Sequence, residues 1–111
     1  MNDALLFESL VRDAIDALPD EFRRRLDNVE IVIEDVPDEP LLGHYHGVPQ
    51  TERGMGYTGY LPDKITIYRK PLERRSPTPK ALAAEVRRTV WHEIAHHFGI
   101  SDDRLRELGK Y

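Results

Sequence analysis

The residues with the most chemical content lie between positions 89 and 103, in the run TVWHEIAHHFGISDD. His92 and His96 stand four residues apart, and Glu93 comes directly after the first of them. At about 100° per residue, positions four apart on an α-helix lie about 40° from each other. The two imidazoles can therefore aim at one point, while Glu93 sits one step round the helix, within reach of a water held there. A histidine pair at this spacing suits zinc, and the neighbouring carboxylate suits the general base of a hydrolysis.

The residues after the pair extend the pattern. His96 is succeeded by two residues, Gly99, two more, and Asp102. A helix cannot return a third ligand to a metal from its own far end, but a glycine turn can. Zinc accepts carboxylate oxygen, and three protein ligands leave the fourth position for water. Asp102 is the expected third ligand and Asp103 the alternative. As acids following Ser101, both would also favour the dipole of a short last helix. His44 and His46, two apart in GHYHG, point the same way if locally extended and form a second source of that ligand. His97 falls at the edge of the helix's apolar arc and reads as a structural group or a support for a ligand. In such a site zinc acidifies water and polarises a carbonyl, and Glu93 takes the water's proton and later delivers it to the leaving group. Tyr45, Tyr57, Tyr60 and Tyr111 have the chemistry to stabilise an oxyanion, although each reads first as a packing residue.

The helix that must hold these groups is expected over residues 79–98. Thr78 and Pro79 form an N-cap and N1 pair, and Gly99 suits the left-handed position past its end. On a helical wheel Val86, Val90, Trp91, Ile94 and Phe98 occupy a broad arc opposite His92. Glu85, Thr89, His92 and His96 make the other stripe. One face should pack on a sheet while the other presents the histidines to a cleft. Residues 3–18 form an amphipathic helix by the recurrence of Leu6, Leu10, Ala14 and Leu18, with Phe7, Val11 and Ile15 beside them. Residues 21–26 suit a further helical turn. Residues 29–36 and 63–70 are β-branched and partly alternating, as strands are. Residues 41–62, which hold five of the seven glycines, read as a long turn-rich loop or short irregular strands, and residues 71–80, with three prolines, as a connector. Ser101 caps a short helix over residues 102–108, which Gly109 ends.

At 111 residues the chain is expected to be a single domain, residues 1–111. A formal net charge of -4 argues against nucleic acid as a partner, since backbone binding needs clustered Lys and Arg. The absence of cysteine excludes disulfides, thiolate catalysis and Cys-ligated metals. The first residues carry Asp3, Glu8 and Asp13 among their apolar positions, unlike a secretory signal, and no apolar run reaches membrane-spanning length. The expected compartment is the cytoplasm, with no membrane partner.

The run HEIAHHFGISDDRLRELG, preceded by DKITIYRKPLERR and EVRRTVWHE, resembles the small bacterial zincin-like metallopeptidases, or minimal zincins, across residues 41–109. That resemblance implies an α+β fold in which a short mixed β-sheet packs against an N-terminal helix and the HExxH helix. It also implies a zinc site at His92, His96 and Asp102, with Glu93 as catalytic base and a peptide or protein as substrate. An edge strand would let a peptide add to the sheet. Two other hydrolase types fit less well: peptide deformylases need a cysteine ligand, and endonuclease-like zinc hydrolases of this size lack a Glu after the first His. The reading from another class is a binding or regulatory module whose metal is structural.

Overall fold

In the computed structural model, which describes residues 3–26, 28–47 and 62–107, the chain begins with helices Asp3–Asp16 (α1) and Asp20–Arg25 (α2). Next come strands Val29–Glu34 (β1), Gly43–His46 (β2) and Asp63–Tyr68 (β3), then helices Arg69–Arg75 (α3), Pro79–His97 (α4) and Asp102–Glu107 (α5). The strands form one mixed sheet in the order β1-β3-β2, with β1 parallel and β2 antiparallel to the central β3.

Register decides which residues face the helices. Val29 aligns with Asp63, Ile31 with Ile65 and Ile33 with Ile67, so these six share one face. Gly43 and Tyr45 join that face through their pairing with Ile67 and Ile65. Ile65 and Ile67 are fully buried there against Phe7, Val11, Ala14 and Leu18 at the N-terminus and Leu82, Val86, Val90 and Ile94 of α4. Burying a side chain of the Ile or Phe class contributes about 1.5–3 kcal/mol, so this one cluster supplies much of what holds sheet and helices together. On α1 the deepest stripe is Phe7, Val11 and Ala14; of the stripe expected from the sequence, Leu10 is only partly buried. Trp91 on α4 donates its indole N–H to the Ala14 carbonyl at 2.8 Å, a direct tie between the two long helices.

Strand β3 stops two residues before its expected end, because the chain enters α3 where a connector was expected. Pro71 is compatible with that helix as its third residue, where a missing N–H is one of the donors a helix start leaves unused. The junction is clamped to the end of β1. Arg69 Nε lies 3.1 Å from Asp35 Oδ1, its Nη1 lies 3.2 Å from Glu73 Oε1, and the Lys70 N–H donates to the Asp35 carbonyl at 3.0 Å. The bond to Asp35 holds the Arg69 guanidinium even further above its ordinary pKa. Beside it, burial raises the Tyr68 phenol, and the carboxylates of Glu34, Asp38 and Glu39 add to the shift.

Helix α4 starts and stops as the sequence leads one to expect. Thr78 accepts a hydrogen bond from the Ala81 N–H at 3.1 Å, with Pro79 as the first helical residue. At the other end Gly99 takes φ 86°, the Gly99 N–H reaches the His96 carbonyl, and the Ile100 N–H reaches the Ala95 carbonyl, both at 2.9 Å. This pair of bonds is the Schellman stop, and it turns the chain into α5, where Ser101 Oγ accepts from the Arg104 N–H at 3.2 Å. Architecture and layer order are α+β: a short mixed sheet packed against an N-terminal helix and the helix of the two histidines. Replacing Gly99 by Ala puts a Cβ on a left-handed residue, which costs about 1–2 kcal/mol. Urea denaturation of Gly99→Ala should show a loss of that size, and a variant as stable as wild type would remove this turn from its role.

Candidate metal centre

Helix α4 brings three of the predicted residues together. The ligand-type atoms of His92, Glu93 and His96 all lie within 4.8 Å of one another, the one group of its kind among the described residues. The two imidazoles meet edge to face with ring centroids 4.6 Å apart. His96 Nδ1 lies 3.2 Å from Glu93 Oε1. A proton on Nδ1 shared with that carboxylate puts the basic lone pair of the ring on Nε2. Two imidazole nitrogens beside a carboxylate match the donor chemistry of a divalent metal of the zinc type, so the residues present fit such an ion.

These groups open onto a cleft of about 590 Å³ between α4 and β2. The stripe expected to face a cleft does so: Glu85, Thr89, His92, Glu93 and His96 form one wall, and residues 40–45 form the other. Gly43 sets how closely the walls approach. A Cβ there would lie 2.9 Å from Thr89 Cγ2 and 3.2 Å from Glu93 Cγ, so only glycine lets β2 come this near. Thr89 presents its methyl group because its hydroxyl donates back to the Glu85 carbonyl at 2.9 Å.

Beneath the histidines lies a buried polar network that sequence reasoning had not assembled. Asp63, 2% exposed, accepts from the Tyr45 hydroxyl, and its Oδ2 lies 2.8 Å from Nδ1 of His97, which is 0% exposed. Gly47 backs the same carboxylate so closely that a Cβ would fall 2.2 Å from Asp63 Oδ1. Tyr45 also sets its ring edge-on to both His96 and His97, at centroid distances of 6.4 and 6.2 Å. The Tyr45 hydroxyl is thus engaged with Asp63. Asp63 carried no local signal, because its partners lie 18 and 34 residues away in sequence.

The other candidates lie outside this group. Asp102 heads α5, and its side chain lies outside the described residues, as do Tyr57, Tyr60, Tyr111 and Gly109. Asp103 is exposed on α5 and outside the three-residue group. His44 and His46 stand on the exposed face of β2, opposite Gly43 and Tyr45; His44 borders the cleft, yet neither joins the group.

A small mixed sheet backing one helix, with two histidines and a glutamate turned to a cleft beside an edge strand, defines a metallohydrolase type of scaffold. The profile of the zincin-like metallopeptidases matches residues 26–111, and the chain belongs to that family. The match takes in β1, which the resemblance of residues 41–109 had not reached. A search of curated proteins finds no match to the chain.

Removing a donor from a buried, hydrogen-bonded polar group costs about 1–3 kcal/mol, and emptying a fully buried site adds a cavity cost. His97 is fully buried, so His97→Ala should lose several kcal/mol in chemical denaturation, and Tyr45→Phe, which keeps its ring and loses only a hydroxyl, markedly less. Equal losses for the two would mean that the buried Asp63–His97 contact is worth no more than the Tyr45 hydroxyl bond.

Proposed function

We propose that the chain is a zinc-dependent peptide hydrolase. The observation that carries this reading is the clustering of His92, Glu93 and His96 on the cleft wall of α4, in a member of the zincin-like metallopeptidase family. His92 and His96 would hold the ion, with Asp102 as third ligand and Asp103 as the alternative. Zinc so held supplies a Lewis acid for the scissile carbonyl and lowers the pKa of water. Glu93, buried in the wall next to that position, takes the proton from the attacking water and hands it to the departing amine. His97, Asp63 and Tyr45 keep the helix, and with it both imidazoles, in a fixed rotation against β3 and β2.

The substrate in this reading is an extended peptide. Strand β2 is an edge of the sheet among the described residues. The Tyr68 N–H donates to the Leu42 carbonyl, so by antiparallel alternation Gly43 turns its own N–H and C=O away from β3. A peptide laid along that edge would run through the cleft past Glu93. Nucleic acid is not the expected partner of a chain with net charge -4, nor is a bilayer; among the described residues no helix is long and apolar enough to cross a membrane.

Metal analysis of purified protein should give close to one zinc per chain, with most of it lost in His96→Ala. Glu93→Gln should keep the zinc and lose peptide cleavage by at least about a hundredfold, as expected for a general base. Asp102→Asn should weaken zinc binding more than Asp103→Asn. Wild-type protein that folds but binds no zinc would end this reading, and undiminished cleavage by Glu93→Gln would remove Glu93 from its role.

A further inference from the structure

The cleft continues past the histidines toward the start of α4, and its far end is basic. Arg75, the last residue of α3, and Arg88, one turn before His92, both line it, with Glu85 beside them. Arg88 Nη2 lies 2.7 Å from Glu85 Oε1, so Glu85 fixes one corner of that guanidinium and offsets one positive charge. Arg75 makes no side-chain hydrogen bond or ion pair with a described residue, and Asp38 and Glu39, which border the adjacent depression with it, are not within ion-pair range. Two cations and one anion thus gather at one end of a cleft in a chain whose net charge is -4. A guanidinium with five donors in a planar fork matches a carboxylate better than any other group a peptide carries. Pro40, Leu41 and Leu42 line the same cleft and give it an apolar side.

We propose that Arg75 and Arg88 form a carboxylate-binding subsite, so that the peptide reaching the metal centre carries an acidic group at this end of the cleft. The inference rests on the peptide-hydrolase reading and names its substrate class. Spacing locates the acid. Arg88 precedes His92 by four residues, about 6 Å along the helix, and an extended peptide advances about 3.3 Å per residue. The carboxylate therefore belongs about two residues from the scissile bond. Strand β2 sets the direction, because it runs the same way as α4: Gly43 lies against Thr89 and Glu93, and Tyr45 against His96 and His97. A peptide adding antiparallel to β2 brings its C-terminal part to the arginines. An Asp or Glu side chain on the C-terminal side of the cut, or the C-terminal carboxylate of a short substrate, would meet the same guanidiniums.

The test uses acetylated, amidated octapeptides in which a single Glu is moved along an otherwise constant sequence, each with a Gln control, and one arm with a free C-terminal carboxylate. Binding is measured by calorimetry on zinc-loaded Glu93→Gln protein, and cleavage by mass spectrometry with zinc-loaded wild type. Glu at one position, about two residues beyond the cut, or the free carboxylate there, should bind about tenfold better than its control, as a charge-assisted hydrogen bond provides. Arg75→Ala should abolish that difference, and Arg75→Glu should transfer the preference to Lys at the same position. Both arginines are exposed, so these substitutions leave the core intact. Equal binding of Glu and Gln peptides at every position, or a preference unchanged in both Arg75→Ala and Arg88→Ala, overturns the subsite. A binding preference with no cleavage by wild type upholds the subsite and refutes peptide hydrolysis; cleavage without a preference does the reverse. The amidated and free-carboxylate arms distinguish a side-chain acid from a chain terminus.

Discussion

A carboxylate withdrawn from water needs donors, and two of those around Asp63 come from two other elements. His97 reaches it from α4 and Tyr45 from β2, while the residue itself begins β3. A carboxyl group left without partners at such depth is costly, so a state in which either element has come away from β3 is penalised. Apolar contacts between Ile65, Ile67 and the helices would tolerate small slides. The bonds to Asp63 do not, since they fix both the rotation of α4 and the height of β2 along β3. The cleft between helix and edge strand inherits its width from them.

That rotation is what the cleft chemistry depends on. His97 is the next residue after His96, and locking it inward to Asp63 leaves His92, Glu93 and His96 turned outward. Val86, Val90 and Ile94 anchor the far side of the same helix in the core. Gly43 completes the arrangement from the strand side. Because it has no side chain, β2 lies against Thr89 and Glu93 with room left for a ligand rather than a methyl group. A buried carboxylate–imidazole contact, an apolar stripe and one missing Cβ thus act on a single helix from three directions.

Helix α4 was the most legible part of the chain, because cap, apolar stripe, histidine stripe and glycine stop all agree over one stretch. The cleft wall of Glu85, Thr89, His92 and His96 could be read from periodicity alone. Strand β2 could not: four residues containing a glycine and two histidines carry too little alternation to separate a strand from a loop. Helix α3 was hidden by Pro71, which signals a break unless its place in the first turn is known. The Asp63–His97–Tyr45 network had no sequence signature, since it joins three elements through tertiary packing and nothing local distinguishes Asp63 from a strand's polar boundary. Arg75 read as part of a connector for the same reason: its place beside Glu85 and Arg88 in the cleft lining exists only once α3 packs on α4.

The split of ligands between elements has a consequence for how the proposed site forms. His92 and His96 share one 19-residue helix held by core contacts and by Asp63, so their mutual placement is complete before any ion arrives. A ligand from α5 instead depends on a single left-handed residue, Gly99, and on a helix of six residues, too short to be stable by its own hydrogen bonds. On the proposed reading, metal affinity is then limited less by the histidine pair than by the free energy of seating α5. Binding energy spent on that seating adds to folded-state stability.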